Sequence, residues 1–184
     1  MAGNLRDIRE IEAEIDAAGL RGITKQQILD TLKSQAKVGG CMSINGGTTP
    51  FTLSGGSWNR INVWERSVDT RGVQNGLVQP VDPGGYYKIS NVAGGDYTVG
   101  AYLRFTASLA ATYEIRVAVI QEDLTVKSSP YHDAVTLTAG AMGILTLQNG
   151  IIKDVSRNER IQLEIKGVNN SQVTIAYGQF GVQR

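Results

Sequence analysis

Cysteine, histidine and proline are almost missing: the 184 residues include one Cys (Cys41), one His (His132) and four Pro. A lone cysteine closes no intrachain disulfide and completes no cysteine-based zinc site. One histidine excludes the multi-histidine centre of a metal-dependent β-barrel oxygenase or isomerase. It leaves Ser128-Ser129-Pro130-Tyr131-His132-Asp133 as the only local source of a base for nucleophilic catalysis. Neighbours on an extended chain point to opposite sides, so that stretch builds no triad by itself and is expected to be a loop with a solvated His. An excess of one charge is also missing. Lys+Arg 18 against Asp+Glu 17 gives a net charge of +1, no basis for holding nucleic acid or an anionic membrane. Mean hydropathy is -0.14, and no apolar run nears the ~18 residues that span a bilayer. Residues 1–9 carry charges rather than an apolar leader core, so a protein made in the cytoplasm without export is expected. No phosphate-binding or dinucleotide fingerprint is present. No enzyme, cofactor or metal is expected.

What the chain does have is glycine, 22 residues of it, and 41% hydrophobic residues, the composition of one domain with many tight turns. The first 38 residues differ from the rest. They hold Arg6, Arg9, Arg21, Lys25, Lys33 and Lys37 with Asp7, Glu10, Glu12, Glu14, Asp16 and Asp30, and no Pro or aromatic residue. Leu5, Ile8, Ile11 and Ile15 recur at helical spacing behind Asn4 as N-cap. Gly19 and Gly22 end that helix, and Thr24 with Gln27 opens a second whose apolar side is Ile28, Leu29 and Leu32. Two helices this short are marginal alone, so their stripes must dock on their own domain, a neighbouring subunit or another protein. Ile8, Ile11 and Ile15 also fit a trimeric coiled coil, for which about two heptads are too few. Gly39-Gly40 and Gly46-Gly47 then read as a linker over 39–48.

From residue 49 the hydrophobic period becomes two. Tyr97, Val99, Ala101, Leu103 and Phe105 share one side of a strand, as do Tyr113, Ile115, Val117 and Val119 opposite Glu114 and Arg116. Comparable runs lie at 51–54, 58–64, 86–92, 134–139, 143–148, 160–166 and 172–180, with turn signals at Asn75-Gly76, Pro83-Gly84-Gly85, Gly94-Gly95 and Asn149-Gly150. Strands without intervening helices predict an antiparallel sandwich or barrel. Asp69, Asp82, Asp96, Glu114, Glu122 and Asp123 supply carboxylates for glycosidase chemistry in principle, but most sit beside turn residues, where Asp caps backbone amides. Asn169-Asn170-Ser171 fits a glycan acceptor or, more simply, a hairpin turn. In a strand over 58–64, Trp58, Arg60, Asn62 and Trp64 share one face and Ile61 and Val63 the other. The first face then serves as a subunit or ligand surface, or its tryptophans cover core edges.

Pro50-Phe51-Thr52-Leu53, Trp58-Asn59-Arg60-Ile61, Gly85-Tyr86-Tyr87-Lys88-Ile89, Gly95 to Phe105, Thr136 to Gly140 and Tyr177-Gly178-Gln179-Phe180-Gly181-Val182 together resemble the jelly-roll heads of the tumour necrosis factor (TNF) and complement type. The resemblance implies a mostly β chain: an antiparallel TNF-like jelly-roll sandwich over 49–184, preceded by the two-helix arm (1–38) and the linker (39–48). Such heads form threefold trimers with aromatic residues around the axis, and Tyr102 and Tyr177 are the candidates here. A jelly-roll head on a charged helical arm looks like the capsid decoration (cement) and fibre proteins of tailed bacteriophages. That likeness implies a homotrimeric virion protein on the capsid surface, docked on the major capsid protein or another virion protein through residues 1–38. The alternative is a receptor- or carbohydrate-binding head of a fibre or appendage. It would use the Trp58/Trp64 face, or loops around 66–85 and 127–133, with Arg60, Asn62, Asn75 and Gln79 as polar groups.

Overall fold

A computed structural model of the chain describes residues 39–69, 78–81, 85–89, 95–156 and 158–183. The chain divides into two units, Met1–Ala36 and Lys37–Arg184, and all of the described residues belong to the second. The helices expected over 1–38, with their stripe residues Leu5 to Leu32, lie outside the described residues.

The described residues form twelve strands: β1 (Gly39–Asn45), β2 (Pro50–Thr52), β3 (Asn59–Arg60), β4 (Arg66–Asp69), β5 (Val78–Val81), β6 (Tyr86–Ile89), β7 (Gly95–Ala107), β8 (Ala111–Ile120), β9 (Val126–Leu137), β10 (Met142–Val155), β11 (Arg160–Lys166) and β12 (Gln172–Gln183). One sheet runs β10-β7-β12-β1-β4 with β2 on β12; the other runs β5-β6-β11-β8-β9 with β3 on β11. All pairings are antiparallel. From β6 onward the chain changes sheet at every step except the β8–β9 hairpin. That winding, with inward side chains of both sheets forming one core, is a jelly-roll sandwich.

The alternation read in the sequence is the reason for the two sheets. On β7, Tyr97, Val99, Ala101, Leu103 and Phe105 are buried while Thr98 and Arg104 are exposed. On β8, Tyr113, Ile115, Val117 and Val119 face inward. Buried hydroxyls find partners, as they must. Tyr87 Oη donates to the Phe180 carbonyl at 2.6 Å. Tyr113 Oη donates to the Leu109 carbonyl and shares a hydrogen bond with Ser171 Oγ, both at 2.7 Å.

Two irregularities re-aim side chains. On β12, Ile175 pairs with Phe105 but Tyr177 pairs with the adjacent Arg104, so one extra residue is inserted. Before this bulge odd positions are buried (Val173, Ile175); after it even ones are (Phe180, Val182). The slip turns Tyr177 outward. On β10 a second bulge falls between Leu147 and Gly150, so Asn149-Gly150 is not the hairpin turn that its sequence suggests. Tyr131 from β9 holds this bulge: its Oη accepts from Ile151 N at 2.8 Å and donates to Ile151 O at 3.0 Å. Asp133 Oδ2, also on β9, accepts from Thr146 N at 2.8 Å. These bonds stitch the β9 edge of one sheet to the β10 edge of the other. A Cβ on Gly150 would lie 2.7 Å from the Tyr131 ring. Gly150→Ala is therefore expected to destabilise the fold by about 1–3 kcal/mol through overpacking. An unchanged urea midpoint would show that the bulge has room to spare.

Three expectations are corrected. Residues 39–45 are not linker but strand β1, set between β12 and β4 with Met42 and Ile44 buried. The Gly-Gly doublets hide the alternation of Met42/Ile44 against Cys41/Ser43. The strand expected over 58–64 is only β3, Asn59–Arg60. Ile61 N makes one more bond to Leu163 O at 3.0 Å, after which the chain leaves the sheet. Residues 127–133 are part of β9 rather than a loop.

Candidate functional site: the outward faces of the two sheets

Leaving the sheet after Arg60 separates the two tryptophans. Trp64, expected beside Trp58 on an exposed face, is buried; its Nε1 donates to the Ile61 carbonyl at 2.8 Å and its ring stacks on Phe180 at 6.3 Å. A shared face for both rings requires an unbroken strand, and residues 61–64 are not one. Trp64 is core. Trp58 stays half-buried on the outward side of the second sheet.

On the outward face of the first sheet the register sets Ile144, Arg104, Tyr177 and Asn45 in one cross-strand row, and Thr146, Tyr102, Gln179 and Ser43 in the next. Tyr102 and Tyr177, diagonal neighbours on β7 and β12, meet edge to face with centroids 5.7 Å apart. Toward β10 the face is apolar, with Met142 57%, Ile144 51% and Ile151 52% exposed. Toward β1 it is polar: Glu65 accepts a hydrogen bond from Asn45 N at 3.1 Å. A shallow cavity of about 260 Å3 there is lined by Ser43, Ile44, Asn45, Glu65, Tyr177 and Gln179. Cys41 lies opposite Gly181 on the same face, half-buried, and burial pushes its thiol pKa up.

The second sheet's outward face is charged and aromatic. β11 alternates Ile161, Leu163 and Ile165 inward with Arg160, Gln162, Glu164 and Lys166 outward. Arg116 of β8, opposite Glu164, donates from Nε to Glu164 Oε2 at 2.6 Å, and Gln162 Nε2 donates to Oε1 at 2.7 Å. The Arg116 guanidinium lies over the Trp58 ring at 4.3 Å and the Lys166 ammonium at 5.6 Å. Lys166 also approaches Glu114 at 3.6 Å. Farther along, Arg160 and Arg60 both lie over the Tyr86 ring, at 4.7 and 5.5 Å.

Several of the candidate catalytic groups make structural hydrogen bonds. His132 is exposed on β9, Ser129 Oγ accepts from Arg116 at 3.4 Å, and both Asp133 oxygens accept backbone N–H groups. Asp96 accepts from Asp154 N at 3.0 Å. Asp123 takes both the N–H and the hydroxyl of Thr125, which holds its carboxyl below the usual range. Asn170, with φ 61, turns the chain between β11 and β12, strands of different sheets, so that turn is no hairpin. Among the described residues no group of His, Cys, Asp and Glu is placed to hold a metal ion.

Of the site residues expected from sequence, the structure brings Tyr102 and Tyr177 together and keeps Trp58 and Arg60 on one face. It removes Trp64. Sequence reading passes over Tyr86, Arg160 and Lys166 on the second sheet and Met142, Ile144 and Ile151 on the first. Alternation along 160–166 carries the signal for Arg160 and Lys166; bulges hide Ile151.

This winding of two five-strand paths is matched by solved structures. Eiger TNF from S. frugiperda superposes with a TM-score of 0.52 at 10% identity, over 78% of this chain and 90% of that one. Murine APRIL at pH 8.0 gives 0.56 at 10% identity, over 81% and 99%. The fold is a TNF-like jelly roll. At such identity the likeness establishes architecture alone. The structure of infectious bursal disease virus Gx strain superposes with a TM-score of 0.40, at 16% identity over 78% of this chain and 32% of that one. No protein-family model and no curated protein matches this TNF-like chain.

Proposed function

We propose that the chain is a non-enzymatic structural protein, a homotrimer assembled through the outward face of its first sheet and fixed by residues 1–38 to the capsid surface of a tailed bacteriophage. The observation that carries the trimer is the exposed Met142 and Ile144 beside the Tyr102–Tyr177 pair. Apolar residues grouped on one sheet face mark an interaction surface. The face is also lopsided, apolar on the β10 side and acidic at Glu65 on the other. A threefold contact joins two different patches of each copy, which such polarity supplies, whereas a twofold contact joins a patch to itself.

Docking through the arm rests on its sequence alone: two amphipathic helical patterns ahead of a jelly-roll head suit a groove on a larger assembly. Three arms on one trimer would raise each other's effective concentration after the first binds, so weak single contacts suffice. Co-sedimentation with purified capsids tests this. The full chain is expected to pellet with the shells and a chain lacking residues 1–38 to stay in the supernatant; equal pelleting would refute attachment through the arm.

A further inference from the structure

We propose that the outward face of the second sheet, at Arg60, Arg160 and Tyr86, is a binding site for the acid group of an anionic saccharide. Two guanidinium groups lie over the one Tyr86 ring, at 5.5 and 4.7 Å, so two like charges share a small area. Among the described residues no carboxylate is ion-paired with either. The acid placed nearest by register is Glu164, directly opposite Arg60 in the β3–β11 pair. Both of its oxygens are already taken, one by Arg116 and one by Gln162. Arg116 is thereby neutralised, whereas Arg60 and Arg160 keep their charge available.

The ring does two things for these arginines. Cation–π contact holds both guanidinium carbons over the ring and leaves their N–H groups as donors, which can grip a carboxylate or sulfate with paired hydrogen bonds. It also fixes two long side chains in advance, which lowers the entropy lost on binding. With two cations already held against the Tyr86 ring, a neutral sugar would have to compete with them for its face.

The surroundings select the class of ligand. None of the exposed large apolar side chains among the described residues lies on β3, β6 or β11. A protein partner would need an apolar centre to bury; a saccharide needs donors, acceptors and a counter-charge. The site is on the sheet opposite the proposed trimer face and does not depend on that association.

Calorimetric titration of the full chain at low salt with four probes tests the proposal: an oligogalacturonate, a sulfated oligosaccharide, a neutral oligogalactoside of the same length, and inorganic phosphate. The acidic saccharides are expected to bind, with preference between them showing whether carboxylate or sulfate is the natural group, while the neutral one does not. Arg60→Gln with Arg160→Gln should weaken binding by at least about tenfold, with circular dichroism unchanged. Tyr86→Leu, which keeps both charges but removes their platform, should weaken it less. The proposal is overturned by absence of binding to either acid, by a double variant that binds as well as the parent, by equal binding of the neutral sugar, or by phosphate binding as tightly as the saccharides.

Discussion

A chain carrying Phe180→Ala is expected to lose about 3–5 kcal/mol of folding stability, the range for truncating a fully buried aromatic. Phe180 sits at the centre of a three-ring layer, stacked on Trp64 at 6.3 Å and tilted against Tyr87 at 5.2 Å. The layer joins distant parts of the chain: Trp64 from the irregular stretch after β3, Tyr87 from the second sheet and Phe180 from the first. All three rings are buried. With β12 pinned between β7 and β1, the site has little freedom to collapse, and a cavity that persists is what makes truncation costly. Urea unfolding checks this through the midpoint at unchanged slope. A loss below about 1 kcal/mol, the scale of trimming one methylene, would mean that the ring layer is not the joint between the sheets.

Arg116→Ala is expected to cost a comparable amount, about 3–5 kcal/mol, for a different reason. Glu164 is only 5% exposed, and its partner bond to Arg116 is short at 2.6 Å. Removing the guanidinium leaves a desolvated carboxylate with Gln162 alone and uncovers Trp58. Removing both charges should be mild, because the pair's Coulomb gain is largely offset by desolvation. Arg116→Met with Glu164→Leu is accordingly expected within about 1 kcal/mol of the parent. A single variant as stable as the double one would show that water reaches Glu164 and that the pair is an ordinary surface bridge.

The long strands are legible because strict alternation is a local signal: Tyr97 to Phe105 and Tyr113 to Val119 reveal face and burial without further help. Sequence and structure part wherever the period is broken. β1 reads as linker because four glycines surround Cys41 to Asn45, yet it is an inner strand of its sheet, between β4 and β12, and β12 lies more than a hundred residues away in sequence. Trp64 reads as a surface residue only if a strand over 58–64 continues past Arg60, where the chain instead turns to deliver its indole to the core. Tyr177 faces outward because of the bulge at Ala176–Tyr177. No sequence period announces such an insertion. The Arg60–Tyr86–Arg160 cluster gathers three separate strands, so only pairing register reveals it.

If the protein is a trimer of the proposed kind, the face bearing Tyr102, Tyr177, Met142 and Ile144 is covered by other copies of the chain. Light scattering on the full protein and on Ile144→Lys measures this most directly. Three copies of the 19.8 kDa chain are expected for the parent and a single copy for the variant, whose ammonium would be buried in the contact beside Arg104, its like-charged neighbour directly across the sheet. A parent protein that scatters as one chain at micromolar concentration, or a variant that remains trimeric, would contradict assembly through this face.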